Sequence, residues 1–319
     1  MDVNTGSKQD LVTVSEILYS CFTLTTLNYT TKCGMAALVG DFSVVNVTHP
    51  LASIHIEANS IGGQDIEILL QHCQQLRRIV LNGCDDSVFE PIDRLAHRLQ
   101  VLGCNHPFQV PQHDEEMNTY GSEAGIKLLY ARSNTGATDF NAVFPLIYNN
   151  RKSLRSIFGI IEGPRGTEGS NASYPNFTLD KVSSLGICSA PRIQLILLPS
   201  ITGKEPIKIL SFMNVLNINR LVDSLILLKR TPKAFRLHHT HDSSSTSALT
   251  CLFEHYSGCP PLSGALNTVA LRYCTRVTDA VLSSLGKVNT LNQLELAGIP
   301  ESYNGGYLSA YFKYIRLFV

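Results

Sequence analysis

Three groups of residues in this 319-residue sequence are of types that could do chemistry: a run of histidines, nine cysteines and a glycine-rich segment. His238, His239, His241 and Asp242 fall within five positions. Imidazoles with a carboxylate are zinc donors, but a zinc site holds its ligands at fixed spacing and braces them with outer hydrogen bonds. This run leads straight into a Ser/Thr tract and reads as a polar loop. The cysteines include no C-x-x-C pair and are scattered, which argues for packing and against a metal. Gly163, Gly166 and Gly169 punctuate a segment without the Gly-Lys-Ser/Thr ending of a phosphate-binding loop. No Gly-x-Ser-x-Gly elbow and no His-Glu-x-x-His motif occurs. The expectation is a protein that is not an enzyme, with no catalytic residues, no cofactor and no metal.

Bulk composition agrees with a folded scaffold. The apolar fraction is 44% and the charged fraction 16%, enough core material to exclude disorder. Lys+Arg and Asp+Glu balance at 26 each, so neither nucleic acid nor a membrane surface is the expected partner. The first ten residues are polar, no leader-like apolar segment follows, and the apolar run at 193–198 is too short to span a bilayer. An intracellular, cytoplasmic or nuclear protein is expected.

The elements that would position these residues come from an internal repeat. Leu266, Val269, Leu271 and Cys274 form an L-x-x-L-x-L-x-x-C string. Thr278 or Asp279 then provides an N-cap, Val281, Leu282 and Leu285 a helical apolar face, and Gly286 a stop. The unit is strand, turn, helix, turn. Similar strings open at Leu24, Leu51, Leu76, Leu99, Ile126, Leu154, Ile193, Val222 and Leu291, with a truncated copy at Ile315. The first four starts lie 27, 25 and 23 residues apart, inside the period of about 20–29 for leucine-rich repeats. No single unit can bury its own apolar side. Stacking about ten of them gives an α/β solenoid, a single domain over 1–319, with parallel strands on a concave face and helices outside. Segments 105–122, 162–176 and 229–247 read as loop insertions. Cys21, Cys73 and Cys259 each stand three residues before a leucine; Cys84 and Cys274 stand three after the last leucine of a string, and Cys104 two after. They are expected to fill tight turns between layers.

The 266–285 stretch, with its cysteine after the strand and the Thr278-Asp279 pair before the helix, resembles the cysteine-containing leucine-rich repeats of F-box/LRR proteins. The stretch from Ile79 to Cys84 is a second match. The resemblance implies an RNI-like horseshoe and a substrate-recognition subunit of a cullin-type ubiquitin ligase. Such a subunit has a Skp adaptor and cullin as partners when an F-box is present in the full-length protein. No Leu-Pro-led F-box is recognised in this chain, where Val14, Ile17, Leu18 and Cys21 read as a repeat helix. A repeat protein with a regulatory or adaptor role outside ubiquitination is the alternative.

Side chains alternate along a strand, so residues between the string leucines face the concave surface. There the expected protein-binding residues are Arg78, Val80, Tyr130, Arg132, Phe158, Leu195, Leu197, Ile226, Leu228 and Arg272. The strings at either end contribute polar residues to this surface and the middle ones apolar or aromatic residues. That is the composition of a binding patch with a polar rim.

Overall fold

The strings become strands with a fixed offset. The computed structural model describes residues 1–5, 12–31, 48–105, 124–163, 174–188, 191–204, 206–215, 217–228, 230–240, 245–258, 265–274, 277–298 and 315–318. Within them the chain forms two compact units, Met1–Ala172 and Ser173–Val319.

The first unit runs β1 (Asp2–Thr5), α1 (Val14–Ser20), β2 (Thr26–Thr31), β3 (Ser53–Ile61), α2 (Gly63–His72) and β4 (Arg78–Cys84). A 3₁₀ turn then leads into α3 (Phe89–Leu95), β5 (Val101–Cys104), β6 (Leu128–Ala131), β7 (Thr138–Asp139), α4 (Phe140–Asn149) and β8 (Ser156–Glu162). The strands pair in parallel in chain order from β1 to β6 and then β8, while β7 pairs with the far end of β8. The second unit runs β9 (Ser184–Cys188), α5 (Pro191–Ser200), β10 (Ile209–Met213), α6 (Ile218–Leu227), β11 (Ala234–His238), α7 (Ser245–Gly258), β12 (Thr268–Arg272), α8 (Asp279–Gly286), β13 (Gln293–Ala297) and β14 (Ile315–Phe318). Its strands are also parallel and in chain order. Strands alternating with helices, each strand beside its sequence neighbours, are the α/β solenoid arrangement that the repeat predicts.

The register explains why leucine recurs. Leu27, Ile54, Ile79, Leu102, Leu129 and Ile157 are cross-strand partners in one unbroken row, and all six are fully buried. In the second unit the equivalent row is Leu185, Leu210, Phe235, Val269 and Leu294, again fully buried. Each such side chain contributes about 1.5–3 kcal/mol of burial, and a slip by one residue would turn the whole row to solvent. The helices supply the other wall, through Ile66, Leu69 and Leu70 of α2, Phe140, Val143, Leu146 and Ile147 of α4, and Leu249, Leu252 and Phe253 of α7. The phenyl ring of Phe235 sits 6.4 Å from that of Phe212 and 6.1 Å from that of Phe253, joining strand rows to helix.

Eight strings, those at Leu24, Leu51, Leu76, Leu99, Ile126, Leu154, Leu266 and Leu291, each lead a strand that starts two residues later. Three expectations need correction. The strings at Ile193 and Val222 lie in helices α5 and α6. The strands nearby follow Val182, Ile207 and Pro232, whose partners Leu185 and Ile187, Leu210 and Phe212, and Phe235 and Leu237 complete the pattern. The segment 229–247, expected as a loop, contains β11 and the start of α7. Ile315 pairs with Leu294, so it matches the fourth position of the string and not the first. Of the other two expected insertions, 106–122 lies outside the described residues, and 162–176 begins inside β8 with Glu162.

Four of the cysteines, Cys21, Cys73, Cys84 and Cys274, occupy two turn positions. Cys21 and Cys73 are the C-caps of α1 and α2, their N–H groups donating to Ile17 and Leu69. Three residues on, Leu24 and Leu76 donate back to the Cys21 and Cys73 carbonyls. Cys84 and Cys274 close the strand ends and are buried. Burial pushes the Cys73 thiol up to about 12 and raises that of Cys274, as suits packing groups rather than nucleophiles. Cys259 lies outside the described residues.

Candidate protein-binding face

Alternation along each strand leaves one set of rows out of the core. In the first unit one such row is Asn28, His55, Val80, Gly103, Tyr130 and Phe158, all in register. It passes from polar residues at β2 and β3 to aromatic ones at β6 and β8. Arg78 stands one row earlier beside Ser53 and Val101, and Arg132 follows the end of β6. Arg78, Tyr130, Arg132 and Phe158 are half-exposed, whereas Val80 and Val101 are buried although they face away from the core.

The polar end of this row holds a hydrogen-bonded pair. Asn82 Nδ2 donates to His55 Nε2 at 3.2 Å, so the neutral imidazole with its proton on Nδ1 fits the contact. Burial lowers the His55 pKa; the Arg78 charge lowers it further and Glu57 opposes it.

At the far end of β5 a single side chain fastens three repeats. Asn105 adopts a left-handed φ of 52°. Its Oδ1 accepts from the N–H groups of Gly83 at 2.5 Å and Cys84 at 3.2 Å. Its Nδ2 donates to the carbonyls of Cys84 and Arg132, both at 2.7 Å. Gly83 has φ 94°, and a Cβ there would come within 1.6 Å of the Ala58 carbonyl oxygen on the irregular end of β3. Only glycine fits that approach. The strand ends that carry Asn82 and Arg132 are thereby fixed.

In the second unit the outward rows are Ser184, Ile209, Ala234, Thr268 and Gln293; then Gly186, Ser211, Arg236, Ala270 and Glu295; then Cys188, Met213, His238, Arg272 and Ala297. Arg272 lies there as expected, its Nη2 2.5 Å from Glu295 Oε1 on the next strand. The remaining four expected residues do not. Leu195 and Leu197 belong to α5, where Leu197 is fully buried, and Ile226 belongs to α6 with Leu228 as its C-cap. The apolar centre expected from these four residues is therefore not on the strand face. Serine, arginine and histidine residues take their places.

Arg236, His238, His239 and Tyr273 were not among the expected binding residues. His238 ends β11, and His239 and Tyr273 are the residues following β11 and β12. Burial depresses the His238 pKa, with Arg272, His239 and Arg236 adding to the effect and Glu295 opposing it. The string Pro232, Phe235, Leu237 would have found them, had proline and phenylalanine been admitted at leucine positions. His241 and Asp242 lie outside the described residues. Among the described residues no group of three His, Cys, Asp or Glu side chains could hold a metal ion, and no helix is long and apolar enough to cross a membrane. The chain matches no protein-family model and no curated protein in sequence comparison.

Proposed function

We propose that this protein is an interaction scaffold that holds a partner protein against the outward strand rows. One observation carries the reading. In both units the rows bearing leucine are buried, while the alternate rows keep polar, aromatic and charged side chains partly in solvent. A parallel sheet in an α/β protein is usually covered on both faces; in a repeat solenoid its free face is the recognition surface.

A photo-crosslinking residue placed at Tyr130 or Phe158 is expected to capture the same partner that purification with the whole chain retains. The same residue placed at Leu227, which is 76% exposed on helix α6, should not. The double substitution Tyr130→Ala with Phe158→Ala should cost a few kcal/mol of affinity if these are central contacts, since buried aromatic anchors dominate such interfaces. Equal capture from both positions would overturn the reading. The more specific role, substrate recognition for a cullin-type ubiquitin ligase, rests on the resemblance of the 266–285 repeat. Copurification of the full-length protein with a Skp adaptor and cullin tests that role separately, and without it a regulatory adaptor is the form that stands.

A further inference from the structure

In the second unit, three strands are each followed by a non-glycine residue in a left-handed conformation. Asn214 has φ 53°, His239 54° and Tyr273 54°, and Gly298 continues the series with 59°. For side chains such as His and Tyr this conformation costs about 1–2 kcal/mol. Their N–H groups are all engaged, each by the last residue of the next strand: Asn214 donates to His238 O at 3.0 Å, His239 to Arg272 O at 2.9 Å, and Tyr273 to Ala297 O at 2.7 Å.

The shared conformation stacks the side chains from strand to strand. The His239 and Tyr273 rings lie 4.6 Å apart and 7° from parallel, close to the inter-strand spacing of about 4.8 Å. Tyr273 in turn lies across Gly298, where a Cβ would approach its ring to 2.3 Å. The result is a flat two-ring stack whose tyrosine is 50% exposed.

Two arginines flank the stack: Arg236 is exposed and Arg272 half-exposed. Glu295 is the one carboxylate in these rows among the described residues, and Arg272 already holds it. His238 Nε2 and Arg272 Nε are shielded from solvent and, among the described residues, have no hydrogen-bond partner. An exposed guanidinium, a second half-exposed one and a strained, partly exposed ring stack together make a surface suited to an incoming ligand.

We propose that this cluster binds an acidic stretch of a partner protein. Its carboxylates pair with Arg236 and Arg272, and an apolar side chain of the same stretch packs on the His239–Tyr273 stack. The proposal rests on the outward rows being a protein-binding surface and adds the chemistry of what is bound. Glu295 favours a peptide over a nucleic acid. A peptide can set an uncharged residue over it, while a phosphate backbone carries a charge at every step.

The test uses the full chain and fluorescence anisotropy with a labelled oligoglutamate of about twelve residues interrupted by leucine at every third position, beside an oligolysine of the same pattern and oligouridylate of equal length. Oligoglutamate should bind, weaken as salt rises, and lose about tenfold or more in affinity with Arg236→Glu. Tyr273→Ser should weaken it as well, whereas Tyr130→Ala with Phe158→Ala should leave it unchanged. Thermal melts of each variant confirm folding, and Arg236 is exposed enough for its charge reversal to be tolerated. Failure of oligoglutamate to bind, indifference to Arg236→Glu, or equal or tighter binding of oligouridylate would each overturn the proposal. If crosslinking from Tyr130 or Phe158 still captures its partner in those cases, the acidic-ligand chemistry fails and the scaffold role survives.

Discussion

Asn105 provides a sharp test of how the repeats are fastened. Its amide serves four backbone groups, but the Cys84 carbonyl also accepts from Asn134 N–H at 2.9 Å and would keep that partner. Asn105→Ala therefore strands three groups, the N–H of Gly83, the N–H of Cys84 and the carbonyl of Arg132. At about 0.5–1.5 kcal/mol for each lost bond, discounted for partial solvent access, the sum is about 2–3 kcal/mol. A left-handed alanine adds about 1 kcal/mol, so Asn105→Ala should lower unfolding stability by about 3–4 kcal/mol, a large share of a typical total. Asn105→Gly makes the same losses without the strain and should sit about 1 kcal/mol higher. Asn105→Asp is the discriminating variant. It keeps both acceptor contacts but turns a carboxylate oxygen toward two carbonyls, so at pH 7 it should be no better than Asn105→Ala. Lowering the pH protonates that carboxyl, lets it donate to a carbonyl, and should narrow its deficit against the wild type. Urea denaturation at pH 7 and pH 5, with hydrogen exchange at the Gly83 and Cys84 amides, reads all three. A loss below about 1 kcal/mol for Asn105→Ala, or wild-type stability for Asn105→Asp at pH 7, would refute the reasoning.

Leu225 and Leu227 report on the second unit's helix. Leu225→Ala, at a fully buried position, should cost about 2–5 kcal/mol in urea denaturation, while Leu227→Ser, at a 76% exposed one, should change stability by less than about 0.5 kcal/mol. Equal losses would place the segment in a strand after all. A further expectation concerns acid. His55 and His238 are held below the ordinary histidine value of 6.5 in the folded chain. The unfolded chain therefore takes up protons first, and the stability linked to these residues is full above pH 6.5 and is lost as pH falls through their folded-state values. The urea midpoint should drop between pH 7.5 and pH 5, and the pair His55→Gln with His238→Gln should flatten that slope. An unaltered slope in the double variant would remove these two histidines from the account.

The solenoid was legible because its strand pattern is carried by identity as well as by period. Where leucine or isoleucine fills all the core positions, as at Ile54 and Ile56 or Leu294 and Leu296, string and strand coincide. The failures at 193–198 and 222–227 have a geometric cause. The first two positions of the string are three residues apart, which suits one face of a helix as well as the strand pattern. In 222–227 the sixth position discriminates, because in that helix it swings to the far side. Leu227 occupies it and is 76% exposed, whereas Ile218, Leu221, Val222 and Leu225 are buried at helical spacing. In 193–198 the sixth position does not discriminate, since Leu198 is buried. Asn217, whose side chain accepts from the Arg220 N–H as an N-cap, was a further helix signal available in the sequence.

The candidate face was less legible than the fold, and the reason lies in the turn chemistry. Position along a string says which side chains point outward, and it located Arg78, Tyr130, Phe158 and Arg272 correctly on strand rows. It says nothing of residues just beyond the strand, where the backbone turns left-handed and the side chain is presented sideways. Asn105, His239 and Tyr273 all lie there. Asparagine enters that region at modest cost and is a known turn signal; histidine is enriched there too but is not read as a turn residue, and tyrosine has no such preference. Their conformation is imposed by the bonds of His239 N–H to Arg272 O and of Tyr273 N–H to Ala297 O, which exist only once neighbouring strands are side by side. A feature set by stacking between repeats is invisible to a reading that takes repeats one at a time. This holds for the stacked rings in the second unit and equally for the Asn105 clasp in the first.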